Sequence, residues 1–599
     1  MMSSRMVRSA KAALAVAALT LTTTGSTAEA QAARAAAAGS GSSANGSAKF
    51  PHTRPERTDY AETSSYDEVI AYMKLMAAAN PQIHLTTYGY TYEGRPLPLA
   101  VIGAPGATAA QVLATGKTRV YIQGNIHAGE VEGKEALLWL LRSIAKGERN
   151  AWFRNTVLLI NPIYNADGNE RVSVANRGSQ AGPVGGMGTR ENALGLDLNR
   201  DGTKMETAEA RSMARLLTEY QPHVAMDLHT TDGSSNSGFN MTYETSLSPN
   251  NSKAQMSLLR EELLPEITKT VKAKHGSDWF YYGGVSGTGA DRAWRSDAEL
   301  AKPRYTSTYY GVRNILGLLT ETYSYASFKT RITETYWFLE ESLDFVAKHG
   351  PRIREVVATA NKESIVGQQL AVRQQLVKAP QLHEIVFAPT LSVRNPYVAD
   401  RPYRLRPDGN TNRTTEMLPF FGTAVATETS VAPRVWVIPN ASQEPAVSTT
   451  PAPAPAGGAR GGAGGGARPG VPAGTPTQRM IASVTDRLDA HGIKYTVTER
   501  DMAFNGERFR ISGNTMAEQN YQGTHRARTL TGAWEANQQT IPAGSVIISM
   551  EQPLARLAFL LFDPRSDDGF MWWNILDAVL GLSPAPQYYP VLRSMNTPG

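Results

Sequence analysis

Six residues in this 599-residue chain have the types and spacing to do hydrolytic chemistry together. His127 and Glu130 stand three apart in YIQGNIHAGEVEG, directly after an apolar run, so an imidazole and a carboxylate can turn towards one point. His229 closes a second apolar run, VAMDLH. Two histidines and a glutamate leave one position of a tetrahedral zinc open, which is a catalytic donor set. Asn199 and Arg200 are adjacent in LGLDLNRDG, and a guanidinium forks onto a carboxylate such as a peptide's free C-terminus. Asp197, two residues earlier, is placed to orient a metal-binding imidazole. Glu321 ends the run LGLLTE, where a buried carboxylate is either paired or functional, and beside a metal it can serve as general base.

Each group follows an apolar run, so strands must position them. The sequence predicts strands at residues 119–124, 157–163, 223–228 and 316–321. It predicts helices at 66–79, 133–145, 207–220, 257–274 and 334–349, and it reads 205–211 as ordinary helix surface. Strands interleaved with helices predict an α/β domain around a mostly parallel or mixed sheet, with the site at the strand carboxyl ends.

In that order the segments resemble the zinc carboxypeptidase family, a group of carboxypeptidase A-like metallopeptidases. The family pattern of His-x-x-Glu, Asn-Arg, a distant His and a Glu at a strand end is met by His127-x-x-Glu130, Asn199-Arg200, His229 and Glu321. NPIYNADG at residues 161–168 is similar to the family's Asn-Pro-Asp-Gly stretch, with Ala166 in the proline position. The resemblance covers about residues 55–350. It implies a mixed eight-stranded sheet flanked by helices and one zinc ion per chain on His127, Glu130 and His229. It further implies that Asn199 and Arg200 hold the substrate carboxylate and that Glu321 is the base. An arginine that stabilises the oxyanion is also implied; Arg190 and Arg177 both stand in its interval, and Arg190 is favoured because it closely precedes Asn199-Arg200. The family's mobile tyrosine is left open among Tyr305, Tyr309 and Tyr310. The same site on a cell-wall peptide or an acyl group would make the chain a zinc amidase instead.

The rest of the chain sets the context. Arg5, Arg8 and Lys11, an apolar stretch from Ala12 to Leu21, and Ala28-Glu29-Ala30 read as a signal peptide cleaved after Ala30, so the protein is expected to be secreted or periplasmic. No later run is long enough to span a membrane. The formal charge is +6, of which residues 1–30 carry +2, leaving too small an excess to argue for nucleic acid. There is no cysteine, so any metal must use His and carboxylate ligands. The organisation expected is a disordered leader at 31–53, the zinc carboxypeptidase domain at 54–375 and a β-rich accessory domain at 380–599. The accessory domain has strands at 434–438, 494–497 and 545–549, a helix at 554–562 and a flexible Pro/Gly/Ala insertion at 440–478.

Overall fold

The computed structural model describes residues 49–231, 236–409, 412–440, 474–522 and 525–598. The expected signal peptide, most of the leader and most of the Pro/Gly/Ala insertion lie outside the described residues.

Ten strands precede and build the site: β1 (Ile83–Tyr90), β2 (Pro96–Ile102), β3 (Thr118–Gly124), β4 (Thr156–Asn161), β5 (Val224–Thr230), β6 (Met241–Thr245), β7 (Trp279–Tyr281), β8 (Gly284–Ser286), β9 (Ala293–Arg295) and β10 (Leu316–Thr322). Eight of them form one mixed sheet in the order β1-β2-β4-β3-β5-β10-β6-β7. The central four, β4, β3, β5 and β10, run parallel, whereas β1 pairs antiparallel with β2, β2 with β4 and β6 with β10, and β7 runs parallel to β6. Strands covered on both faces have no solvent side, so β3, β4, β5 and β10 are nearly continuous apolar runs, which is why the sequence exposes them.

Alternation along each strand sends its side chains to two cores. Val120 and Ile122 of β3 pack with Leu137, Leu141 and Phe338, from helices Glu132–Ala145 and Phe328–Lys362. Tyr121, between them, faces Met213 and Leu217 of helix Ala208–Tyr220. That second core continues without a break into Trp436, Leu557 and Phe559 of the C-terminal region. There a six-stranded sheet contains the expected strands as Val435–Ile438, Thr496–Val497 and Val546–Ser549, beside the expected helix Ala555–Phe562. The boundary expected at 375–380 falls inside one strand, Gln369–Phe387, which pairs antiparallel with Thr414–Val431.

Several elements differ from expectation. The helix expected at 334–349 runs from Phe328 to Lys362 and passes through Pro351. Proline cannot donate to the carbonyl four residues back; Asn155 Nδ2 donates to that Ala347 oxygen at 3.5 Å instead. The single helix expected at 257–274 contains a π turn at Leu258–Leu263. Residues 205–211 are not plain helix surface: Met205 is fully buried in the left-handed region at φ 54°, and the helix starts only at Ala208.

Candidate metal centre and active site

The loop after β3 carries His127 and Glu130, and helix Glu132–Ala145 begins immediately behind them. Gly133 lets that helix close onto β5, since a Cβ there would lie 2.7 Å from Leu228 Cβ. Glu130 therefore reaches the end of β5, where its Oε2 accepts from the Thr230 amide at 3.0 Å and lies 2.8 Å from His229 Nδ1. Its other oxygen lies 2.9 Å from His127 Nδ1. One donor atom from each of His127, Glu130 and His229 lies within 4.8 Å of the others, and all three residues are buried. Two imidazole nitrogens and a carboxylate oxygen aimed at one point match the donor chemistry of zinc, so the residues fit the metal.

Both imidazoles are held from behind. His127 Nε2 is 3.0 Å from Asp197 Oδ1, and His229 Nε2 is 3.0 Å from Asp227 Oδ2. These carboxylates fix Nδ1 as the nitrogen presented to a metal. Asp197 stands within hydrogen-bond distance of His127, the place its expected orienting role requires. Asp227 was not singled out by sequence reasoning, although Asp-x-His along a strand puts both side chains on one face, and that spacing is the signal for it. Burial raises the Glu130 carboxyl, but His127 and Arg177 outweigh it and hold the group well below its ordinary range. Burial acts the same way on Asp197, and His127, Arg200 and Arg190 likewise hold it below. His229 is lowered by burial, yet Asp227 and Glu130 keep it well above its ordinary value.

Asn199 and Arg200 sit on a short 3-10 turn, Leu198–Arg200, which Asp197 caps by accepting from the Asn199 amide at 2.8 Å. Arg200 lies over the Tyr305 ring at 4.0 Å from its centroid and donates to Asn199 O at 2.8 Å. Asn199 Oδ1 accepts from the Thr306 amide at 2.9 Å, and the Thr306 hydroxyl also bonds Asp227. Thr306 thus ties the Asn199-Arg200 turn to the support of His229, a link that rests on tertiary contact and leaves no mark in the sequence.

A cavity of about 160 Å³ joins these groups, and His127, Glu130, Asn199, Arg200, Arg190 and Glu321 all line it. Of the two candidate arginines, Arg190 lines the cavity and is anchored by Asp197 Oδ2 at 2.9 Å. Arg177 is turned to the backbone, donating to Thr230 O at 3.0 Å and Thr231 O at 2.9 Å, and to Glu130 at 3.0 Å. Of the three tyrosines, Tyr305 lines the cavity, whereas Tyr309 and Tyr310 are fully buried in the core shared with the C-terminal region. Tyr282 and Asp297 also line it and were not anticipated.

Residues 69–307 match the family model for zinc carboxypeptidases. Among curated relatives, carboxypeptidase 2 of Trichophyton rubrum is 26% identical over 161 residues, covering 26% of this chain and 27% of that protein. Carboxypeptidase D of Mus musculus is 34% identical over 146 residues, covering 21% of this chain and 10% of that protein. The chain therefore spans only 27% and 10% of the lengths of these two relatives. Among solved structures, a metallo-carboxypeptidase from Burkholderia cenocepacia is 19% identical with a TM-score of 0.35, covering 48% of this chain and 70% of that one. Carboxypeptidase A from Helicoverpa armigera is 16% identical with a TM-score of 0.36, covering 56% and 81%.

Proposed function

The chain carries a domain of the zinc carboxypeptidase family, and from that premise we propose that it is a secreted metallocarboxypeptidase that removes C-terminal amino acids from peptides. The observation that carries this reading is one cavity lined by His127, Glu130, Arg200 and Glu321, two of whose residues, His127 and Glu130, form a buried donor cluster with His229. A zinc ion held by the three donors supplies a water of pKa about 7 and polarises the scissile carbonyl.

The chain's own residues do the rest. Arg200 pairs with the terminal carboxylate and Asn199 donates to it, so the last peptide bond is the one presented to Glu321. Glu321 takes a proton from the attacking water as oxygen bonds to the carbonyl carbon. Arg190 faces the carbonyl oxygen as it gains negative charge, and a preorganised cation there is worth several kcal/mol of barrier, of order 3 kcal/mol. Glu321 then passes its proton to the leaving nitrogen as the C–N bond breaks. Export follows the basic, apolar and Ala-x-Ala pattern of residues 1–30, and no described helix is long and apolar enough to cross a membrane.

The test is digestion of a mixed peptide library by the purified protein, with and without a chelator, read by mass spectrometry. Stepwise loss of C-terminal residues that the chelator abolishes is the expected result. Internal cleavage, or cleavage of cell-wall peptides alone, would replace this reading with the amidase.

A further inference from the structure

At the opposite, amino ends of β3, β5 and β10 lies a larger cavity of about 480 Å³ between the sheet and the C-terminal region. Four cationic side chains line it: Arg119 at the start of β3, Arg313 before β10, Arg354 on helix Phe328–Lys362 and Lys494 from the C-terminal region. His223, just ahead of β5, lines it too, and no carboxylate does. Among the described residues none of the four cations has an ion-pair partner. Arg119 Nε donates to Gln221 O at 2.8 Å, and Arg354 Nη1 donates to Thr118 Oγ1 at 2.9 Å. Arg313 uses its two terminal nitrogens on Tyr309, His491 O and Thr218, and its buried Nε has no acceptor among the described residues.

His223 sharpens the point. Its Nδ1 accepts from the Arg119 backbone amide at 3.0 Å, so in the neutral ring the proton is on Nε2. That Nε2 lies 3.3 Å from Arg119 Nη2, which is also a donor. Two donors held face to face call for a shared acceptor. The cluster is electrostatically uncomfortable as it stands. Burial, then Arg119 and Arg354, pull His223 down to about 3, and burial with Arg354 pulls Arg119 down to about 10. Grouped like charges without a counter-charge cost free energy, and an anion placed among them returns it. The remaining wall is apolar, with Leu217, Ile315, Val357 and Leu554. Cavities of this size hold small organic ligands.

We propose that this cavity binds an organic carboxylate, with the oxyanion held by Arg119, His223 and Arg354 and the apolar body against Leu217, Ile315, Val357 and Leu554. Because Lys494 and Leu554 come from the C-terminal region, such a ligand would clamp that region to the sheet. The site is independent of the peptidase cleft, so its test does not depend on activity. Calorimetric titration of the full chain with octanoate, and separately with inorganic phosphate, measures it. Octanoate should bind and displace phosphate, which binds more weakly for want of an apolar body. To exclude the cleft, the titration is repeated on Arg200→Ala, where octanoate binding should persist. Arg119→Gln and Arg354→Gln should each weaken it about ten- to a hundredfold, the usual effect of losing one charged hydrogen bond. In the unmodified chain, octanoate should also slow amide hydrogen exchange at residues 217–223 and 552–554, a readout that no variant's misfolding can confuse. Binding lost in Arg200→Ala but kept in Arg119→Gln and Arg354→Gln would place the ligand in the cleft and overturn the proposal. Absence of binding, tighter binding of phosphate than of octanoate, or unchanged exchange at those residues would overturn it as well.

Discussion

Glu321 and His229 are direct register partners on the adjacent parallel strands β10 and β5. Parallel neighbours present side chains at the same level on the same face, so the pairing holds a carboxylate at a fixed place beside the metal donors without making it one of them. If Glu321 moves the proton, Glu321→Gln keeps the shape and removes the acceptor. Turnover should fall about 10²–10⁴-fold, while zinc content and melting temperature stay unchanged. Near-normal turnover in a folded, zinc-loaded variant would rule the role out.

Arg200 should read the free C-terminus. In Arg200→Ala, cleavage of free-carboxylate peptides should drop about ten- to a hundredfold, the equivalent of about 1.5–3 kcal/mol for one charged hydrogen bond. C-terminally amidated peptides, which offer no charge for the guanidinium, should be cleaved at nearly the original slow rate. Paired kcat/KM measurements on the two peptides decide it, and equal losses on both would show that Arg200 serves another purpose.

Asp227 should matter for metal retention. Its carboxylate lies 3.0 Å from His229 Nε2 and also bonds Thr306. Asp227→Asn removes the charge that fixes the imidazole, and such changes commonly cost about 10–100-fold in metal affinity. Competition with a fluorescent chelator measures this directly. Asp197→Asn should behave similarly through His127, and zinc affinity unaltered in both variants would mean that neither carboxylate supports its ligand.

What the sequence reveals and conceals follows burial. β3, β5 and β10 are legible because both faces are covered and their residues are apolar throughout. Strands Gln369–Phe387 and Thr414–Val431 escape notice because long parts of them are exposed and polar, so no apolar run marks them. Helix Phe328–Lys362 is underestimated because Gly350-Pro351 reads as a stop, and only the Asn155 contact shows how the helix passes it. In the site, His127, Glu130 and His229 are legible from type and spacing. Thr306 is not, because its contacts with Asn199 and Asp227 exist only after the α-helix that it starts docks on the sheet. Tyr309 and Tyr310 are credible cleft tyrosines by sequence position, yet both are fully buried, and Tyr309 bonds a histidine of the C-terminal region.

That histidine, His491, makes the contact between the sheet domain and the C-terminal region sensitive to acid. Arg313 Nη1 donates to the Tyr309 hydroxyl oxygen at 3.0 Å, and the hydroxyl donates to His491 Nδ1 at 2.9 Å. His491 Nε2 in turn donates to Thr203 O at 3.3 Å. An Nδ1 that accepts cannot carry a proton, so the arrangement requires the neutral ring. Burial, with Arg313 next in effect, lowers His491 to about 3 from an ordinary value near 6.5. Between those two values the unfolded chain takes up a proton that the folded chain refuses. Stability therefore declines as pH falls from about 6.5 towards 3, by up to about 1.4 kcal/mol per pH unit for this one group. His223, lowered to about 3 by burial and by Arg119 and Arg354, adds a second contribution of the same sign. In His491→Gln the amide has no proton to gain, so its stability should decline less steeply over that window even if it is lower at pH 7. Urea unfolding of both proteins at intervals between pH 7 and pH 4 supplies the two slopes, and their difference isolates His491 from every other titrating group. Parallel slopes would show that His491 is protonated as readily in the fold as in the unfolded chain, and that acid acts on the contact through other residues.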